Sequence, residues 1–301
     1  MTTQITITGE EDKLFACREL EKGNLLFFPT VPFSFPQEEI AFLLEQKQGS
    51  SRSRKNVAYK PGLDRITNCE TKDLLVQERL KGVLRAYSTR VTSFLTELLS
   101  PYAASWRVDY TSFRPFQEKG RKLRVRARND LLHFDAFPTR PLHGDRILRF
   151  FTNINPIEAR HWITSDTFSP VAKRYAGNDL PLPKRVDYSW KGKLSRGCLQ
   201  AVRSLGVKVP MRSPYDHFML RFHNFLKENQ SFQEETPKQH WHFPPGSCWA
   251  VFTDQVSHAA LSGQYALEQT FLVPVRSLLF PENSPLHVLE RLAGGNLVRH
   301  S

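Results

Sequence analysis

The stretch DLLHFDAFPTRPLHGDRILRFFTNI, residues 130–154, decides the fold class of this chain. Its two apolar runs are separated by Pro and Gly residues, and short apolar runs bounded by turn residues are typical of β-strands. Comparable runs occur at 108–113 (VDYTSF), 122–127 (KLRVRA), Cys248–Phe252 and Glu268–Val275. The pattern predicts an antiparallel β core, a barrel or a sandwich, from about residue 106 onward.

Helices are predicted on either side of this core. Apolar residues recur at helical spacing from Thr71 to about Leu99, which indicates one long amphipathic helix or two joined near Tyr87. Shorter helices are predicted at Tyr215–Asn229 and Pro285–Leu292. The fold class is therefore α+β. Residues 1–75 are interpreted as a helical and loop extension with a basic loop at 50–55, and residues 76–301 as the main domain. The main domain carries a basic insertion at about 164–215, in which 195–205 has the pattern of a short helix.

Composition narrows the class of protein. Apolar residues make up 40% of the 301 residues, and no run is long enough for a membrane-spanning helix or resembles a secretory signal, so a cytoplasmic protein is expected. The four cysteines form no CxxC pair, which argues against a zinc ribbon. The net charge of +12 favours anionic ligands or surfaces. No zinc-finger spacing or phosphate loop supports nucleic acid, which is disfavoured.

A metal site is predicted at His133 and Asp135. The two residues are two apart in a strand-like run and therefore point to the same side. Two histidines and one carboxylate form the facial triad of non-haem iron(II) oxygenases, which leaves three coordination positions open. A second His-x-Asp pair, His143 and Asp145, lies in a Pro- and Gly-containing turn and is a poorer candidate.

The third ligand must come from a distant histidine, and His258 is the best candidate. It follows a predicted strand and a polar turn, and another strand follows it. Among the other histidines, His217 and His223 fall on a predicted helix, where packing or capping is the simpler interpretation. His240 and His242 fall in the Pro-flanked HWHFPP segment, interpreted as a loop.

From about residue 130 to the C-terminus, four segments resemble the bacterial Kdo 3-hydroxylases, which hydroxylate a 3-deoxy-octulosonic acid (Kdo) sugar of lipopolysaccharide. These segments are HFDAFP, GDRILRFFTNINP, FPPGSCWAVFTDQVSHAALSGQY and LEQTFLVP. The resemblance implies a double-stranded β-helix (jelly-roll) core flanked by helices, and Fe(II), 2-oxoglutarate and dioxygen as cofactors. It implies hydroxylation at C3 of Kdo on lipid A or a related lipopolysaccharide precursor. The basic surface, with apolar residues such as Trp190 in the insertion, predicts peripheral contact with the anionic cytoplasmic face of the inner membrane, where a lipid-anchored acceptor would lie.

The far carboxylate of 2-oxoglutarate requires a cation or a strong donor. Many oxygenases of this fold place Arg about eleven residues after the distal histidine, where this chain has Gln269. Arg149, which shares a strand face with Phe151 and Asn153, is the first choice instead, with Arg276 in reserve. For an anionic sugar, the candidates form a basic lip that includes Arg140, Arg160, Trp162 and Arg174.

Two other hypotheses for the function remain alongside Kdo hydroxylation. An oxygenase of the same fold that acts on another acidic or phosphorylated small molecule would keep the metal site but make a different product. A non-catalytic, basic lipopolysaccharide-binding jelly roll would show no iron-dependent turnover.

Overall fold

Two β-sheets form the core of the computed structural model, which describes residues 2–6, 13–46, 56–187 and 211–299. The large sheet has the strand order β1-β2-β9-β6-β11-β5-β3-β4 and the small sheet the order β10-β7-β8. The strands are β1 (Gln4–Thr6), β2 (Leu25–Phe28), β3 (Val57–Lys60), β4 (Arg65–Thr67), β5 (Arg107–Arg114), β6 (Arg146–Asn153), β7 (Arg160–Thr167), β8 (Gln239–Phe243), β9 (Cys248–Phe252), β10 (Val256–Ser262) and β11 (Ala266–Val273). All pairings are antiparallel except β1 with β2.

Aromatic side chains fill the space between the sheets. Trp249 on β9 stacks on Phe243 with ring centroids 3.8 Å apart and on Phe151 with centroids 5.1 Å apart. Trp162 on β7 meets Phe151 edge-on at 4.8 Å. This packing of one sheet on the other, with side chains alternating between inner and outer faces, is that of the predicted jelly roll.

A layer of helices covers the outer face of the large sheet. It comprises α1 (Lys13–Lys22), α2 (Gln37–Glu45), α3 (Leu74–Leu98) and the short α4 (Ser100–Ala103). Helix α3 is the predicted long helix, uninterrupted at Tyr87, and the Asp73 side chain caps its first turn. The Tyr87 hydroxyl lies 2.9 Å from the Thr152 hydroxyl on β6, so this helix packs on the side of β6 opposite to Phe151.

A second helical layer covers the outer face of the small sheet. It comprises α5 (Phe168–Tyr175), α6 (Pro214–Glu228), α7 (Gln230–Glu235) and α8 (Pro285–Ala293). Helix α6 begins with a capping box formed by Ser213 and Asp216. Phe222 on this helix packs against Phe134 and Phe168, so α6 is held against the segment that carries His133 and Asp135.

Several segments differ from the prediction. The KLRVRA run contains a 3₁₀ turn, Val125–Ala127, and the 131–137 run forms a single bridge with β10 rather than a full strand. The HWHFPP segment, predicted to be a loop, begins within β8 because its residues pair with β7. The N-terminal segment supplies β1–β4 to the large sheet in addition to helices. The predicted basic loop 50–55, the helix 195–205 and Trp190 lie outside the described residues.

Candidate metal centre

The backbone of the small sheet positions His133 and Asp135. The His133 amide donates to the His258 carbonyl at 3.1 Å, and the His258 amide donates to the His133 carbonyl at 3.0 Å. The Asp135 amide donates to the Thr253 carbonyl at 2.9 Å. Phe134, between the two, points the other way into the apolar cluster beneath α6. His133 and Asp135 therefore share the inner face, as their spacing predicts.

The side chains of His133, Asp135 and His258 lie together and are nearly buried. His133 Nε2 is 3.5 Å from Asp135 Oδ1, and the His133 and His258 ring centroids are 4.7 Å apart. The indole of Trp162 stacks on the His258 ring at 5.3 Å and shields it from solvent. His133 and Asp135 therefore lie within reach of one ion, and the His258 ring lies beside that of His133.

Hydrogen bonds prepare both imidazoles to bind a metal. His133 Nδ1 lies 2.7 Å from the Leu131 carbonyl and His258 Nδ1 lies 3.1 Å from the Val256 carbonyl. A carbonyl can only accept, so each Nδ1 carries the proton and each Nε2 keeps its lone pair. Burial lowers the pKa of both histidines, well below the ordinary value for His133, which keeps them neutral.

Asp135 is the charged member of the set. Burial alone would raise its pKa, but the Arg149 guanidinium and the neighbouring His133 and His258 together outweigh burial and hold the pKa well below its usual range. Asp135 Oδ2 is 3.0 Å from Arg149 Nη2, yet it has no aligned hydrogen bond within the described chain. Two neutral imidazoles and a carboxylate with an unsatisfied oxygen fit a divalent iron ion.

A cavity between the sheets adjoins this set. Its volume is about 40 Å³, the space of a few water molecules. The cavity is lined by Arg114, Asn129, His133, Asp135, Arg149, Phe151, Trp162, His258 and Ala260.

Behind the cavity lining, carboxylates and guanidinium groups alternate in one network that includes Arg149 and Arg114. Arg149 Nη1 donates to Glu268 Oε1 at 2.7 Å, and Glu268 Oε2 accepts from Arg114 Nε at 2.9 Å and from Arg114 Nη2. Glu118 follows, 3.1 Å from Arg121 Nη1 and 3.4 Å from Arg160 Nη2. Burial would raise the pKa of both glutamates, but their guanidinium neighbours lower it, so both stay ionised.

Of the residues predicted to bind the cofactor, the structure brings only Arg149 to the cavity. Gln269 lies on the opposite face of β11, where it bonds to Thr111 at 2.5 Å. Adjacent residues on a strand point to opposite faces, and its neighbours Glu268 and Thr270 share the other face, where they bond to each other. The Asn153 amide is bonded to the Glu158 and Phe243 carbonyls and holds a loop. Arg276 is exposed in a 3₁₀ turn.

The residues predicted to bind the substrate lie in different places in the structure. Trp162 lines the cavity. Arg140 lies between the Tyr110 and Phe137 rings, 4.0 and 4.1 Å from their centroids, and pairs with Asp109 at the rim. Arg160 does not belong to a basic lip, because its side chain is buried and bonded to Glu118 and the Gly263 carbonyl. Arg174 is exposed on α5, over its neighbour Tyr175.

Two residues at the site were not anticipated. Arg114 directly follows the predicted strand at 108–113 and is the last residue of β5, and its sequence context does not indicate a role. His223 was interpreted as a packing or capping residue. Its ring centroid lies 4.8 Å from that of His133, and the metal-binding atoms of His133, Asp135 and His223 all lie within 4.8 Å of one another. Its helical position was visible in the sequence, but the surface on which α6 docks was not.

Comparison with solved structures finds the same architecture throughout the chain. A crystal structure of the Kdo hydroxylase KdoO, a non-heme Fe(II) alphaketoglutarate-dependent dioxygenase, in complex with cobalt(II) matches with a TM-score of 0.84 and 34% identity. A complex of KdoO with alphaketoglutarate and Fe(III) gives a TM-score of 0.82, also at 34% identity. Each match covers 99% of this chain and 98% of the other.

Comparison by sequence agrees with these structures. No curated protein matched the chain. The family model described as 3-deoxy-D-manno-oct-2-ulosonic acid (Kdo) hydroxylase matches residues 4–296, nearly the whole length. This chain therefore belongs to the Kdo hydroxylase family.

Proposed function

We propose that this protein is an Fe(II)- and 2-oxoglutarate-dependent dioxygenase that hydroxylates C3 of a Kdo sugar and so produces D-glycero-D-talo-oct-2-ulosonic acid (Ko). The observation that carries the proposal is the buried set of His133, Asp135 and His258 beside an arginine-lined cavity, in a chain of the Kdo hydroxylase family. When bound, iron with 2-oxoglutarate and dioxygen supplies the oxidising power to insert one oxygen atom into a C–H bond, with succinate and carbon dioxide as co-products.

The three ligands would be held in place by groups around them. His133 and His258 are fixed by their Nδ1 hydrogen bonds to backbone carbonyls. Asp135 is kept ionised by Arg149. Groups that orient metal ligands in this way typically change metal affinity 10- to 100-fold when they are removed. In this proposal, Arg149 acts chiefly on the metal ligand.

Arg114 is then the better candidate for the far carboxylate of 2-oxoglutarate. Arg149 lies beside a metal ligand, where the chelating end of the diacid must lie. Arg149 and Arg114 donate to the two oxygens of one Glu268 carboxylate, so Arg114 is the next cation along the series of charges that begins at Asp135. Among the terminal nitrogens of Arg114 and Arg149, Arg114 Nη1 has the most distant partner, Glu118 Oε1 at 3.9 Å.

The sugar would enter from the rim next to Asp135. Arg140 and Arg212 flank the turn at Phe137 and Pro138, the first through contact with the Phe137 ring and the second through a hydrogen bond to the Pro138 carbonyl. Two guanidinium groups at the entrance suit the carboxylate of Kdo. Trp162 would wall the opposite side and exclude water from the reacting carbon.

We further propose that the acceptor is Kdo-lipid A or a related precursor, met at the anionic cytoplasmic face of the inner membrane. The net charge of +12 supports attraction to such a surface. In the part of the chain that the structure describes, no helix is both long and apolar enough to cross a membrane. Co-sedimentation with anionic rather than neutral vesicles tests this contact, and equal binding to both would contradict it.

The chemistry is tested by anaerobic titration of the purified protein with iron(II) and 2-oxoglutarate. We expect the weak visible charge-transfer band of a chelated iron–oxo-acid complex. Addition of Kdo-lipid A and air should then yield a product heavier by one oxygen atom. A band without this product would leave an oxygenase with another substrate, and the absence of a band in iron-loaded protein would overturn the proposal.

A further inference from the structure

A fourth imidazole lies at the metal centre. The His223 ring is as close to His133 as the His258 ring is, with centroid separations of 4.8 and 4.7 Å. Ligand atoms about 2.1 Å from one ion are roughly 3 Å apart when adjacent. The 4.8 Å limit on the separation of the His133, Asp135 and His223 atoms means that a modest rotation would bring His223 into the same coordination sphere.

The protonation of His223 matches that of the two proposed histidine ligands. Its Nδ1 lies 2.7 Å from the Phe134 carbonyl, which can only accept, so Nδ1 carries the proton and Nε2 keeps its lone pair. His133 and His258 make the equivalent contact with Leu131 and Val256. A backbone carbonyl that fixes the tautomer is characteristic of metal-binding histidines. Since Phe134 separates His133 from Asp135, the same bond also ties α6 to the ligand segment.

His223 approaches the centre from a different side than the cofactor. It does not line the cavity between the sheets, where Arg114 would receive the far carboxylate of 2-oxoglutarate. It projects from α6 and is half-buried. A facial triad leaves three positions open, of which a bidentate 2-oxo acid takes two. The position within reach of His223 is therefore the third, which dioxygen requires.

We propose that His223 is a fourth protein donor, which holds this third position until the sugar binds and displaces it. The inference rests on the function proposed above. A half-buried side chain on a helix that covers the site can be moved by a ligand that enters from solvent. The arrangement would restrict dioxygen to the ternary complex and so limit oxidation of 2-oxoglutarate when no sugar is present.

Cobalt(II), which is stable in air in such sites, provides the first test. Each imidazole bound to high-spin cobalt(II) gives a strongly shifted, exchangeable Nδ1–H signal in the proton NMR spectrum. In wild-type protein with 2-oxoglutarate we expect three such signals, and two after Kdo is added. Because this measurement uses the unaltered protein, it does not depend on the folding of a variant. Two signals in both states would overturn the inference.

The variant His223→Ala provides the second test, with His217→Ala as a matched control, since His217 is exposed on the same helix. We expect His223→Ala to bind cobalt(II) roughly 10-fold or more weakly, added imidazole to restore the affinity, and sugar-independent 2-oxoglutarate oxidation to rise several-fold. The control should match wild type. If His223→Ala keeps wild-type cobalt affinity, His223 only connects α6 to the ligand segment through its hydrogen bond to Phe134, and the inference is overturned.

The two proposals fail in different ways. If His258→Ala keeps wild-type cobalt affinity while His223→Ala loses it, His223 is the third ligand. That result would overturn both the triad of His133, Asp135 and His258 and the role proposed for His223. If His258→Ala loses the metal and His223→Ala does not, only the further inference fails.

Discussion

Arg114 offers the most direct test of how the cavity holds 2-oxoglutarate. In Arg114→Gln the far carboxylate would lose a charge-assisted hydrogen bond, and such bonds contribute about 1.5 to 3 kcal/mol. At 1.4 kcal/mol per factor of ten, the Kd for 2-oxoglutarate should rise roughly 10- to 150-fold. The rate at saturating cofactor should change little, because the bond is made equally in the ground state and the transition state. Arg114→Lys, which keeps the charge but not the planar fork, should lie between wild type and Arg114→Gln.

The assay is anaerobic titration of iron-loaded protein with 2-oxoglutarate, followed through the charge-transfer band. Arg121→Gln is the matched control, since Arg121 contacts Glu118 in the same charged wall but does not line the cavity. Arg149→Gln should instead weaken the binding of the metal, because Arg149 lies 3.0 Å from Asp135. If Arg114→Gln stays within threefold of wild type while Arg149→Gln raises the Kd for the diacid, the assignment of the far carboxylate to Arg114 is wrong. The far carboxylate then lies on Arg149.

Other changes test the ligands, the buried charges and the pH dependence. His258→Ala and, separately, His133→Ala should abolish iron-dependent turnover while the circular dichroism spectrum is retained; near-normal turnover in either would contradict the triad. Arg160→Met removes a buried partner of Glu118 and should lower the free energy of unfolding in urea by about 3 to 5 kcal/mol, unlike a surface change. Burial lowers the pKa of Lys227 from an ordinary 10.5 to about 8. Burial of the charged ammonium therefore lowers the free energy of unfolding by its full amount below pH 8, and this loss disappears as the pH rises from 8 to 10.5. Lys227→Met should therefore raise the free energy of unfolding at pH 7 and lose that advantage near pH 10; an equal gain at both would refute the assignment.

Local periodicity in the sequence predicted which residues of the site share a strand face, but not which face is buried. Alternation placed His133 and Asp135 on one side, and it grouped Arg149 with Phe151, because both rules depend only on neighbouring residues. Alternation does not say which face of a strand is inside. In the structure Arg149 points inward and lines the cavity between the sheets, whereas Gln269 lies on the helical side of β11, bonded to Thr111.

What remained hidden depends on contacts between distant segments. The run at 131–137 has the pattern of a strand, yet only His133 pairs with β10, since Asp135 bonds instead to the turn at Thr253. The N-terminal strands are three or four residues long, too short for alternation to show. They form because β2 pairs with β9 and β3 with β5, and β1 and β4 then pair with β2 and β3. His223 looked like an ordinary helical histidine until α6 was seen to pack on Phe134.

A network of buried charges of both signs extends from the proposed metal centre. Four guanidinium groups (Arg114, Arg121, Arg149 and Arg160) and three carboxylates (Glu118, Asp135 and Glu268) alternate in it, all with side chains at most 13% exposed. These seven groups sum to +1, and Lys227, which is buried, interacts with Asp135 and is protonated at pH 7, adds a further positive charge. Since an uncompensated charge in a buried site is costly, the positive balance favours an anionic ligand. We therefore expect a divalent metal, which adds two more positive charges, to strengthen the binding of dianionic 2-oxoglutarate.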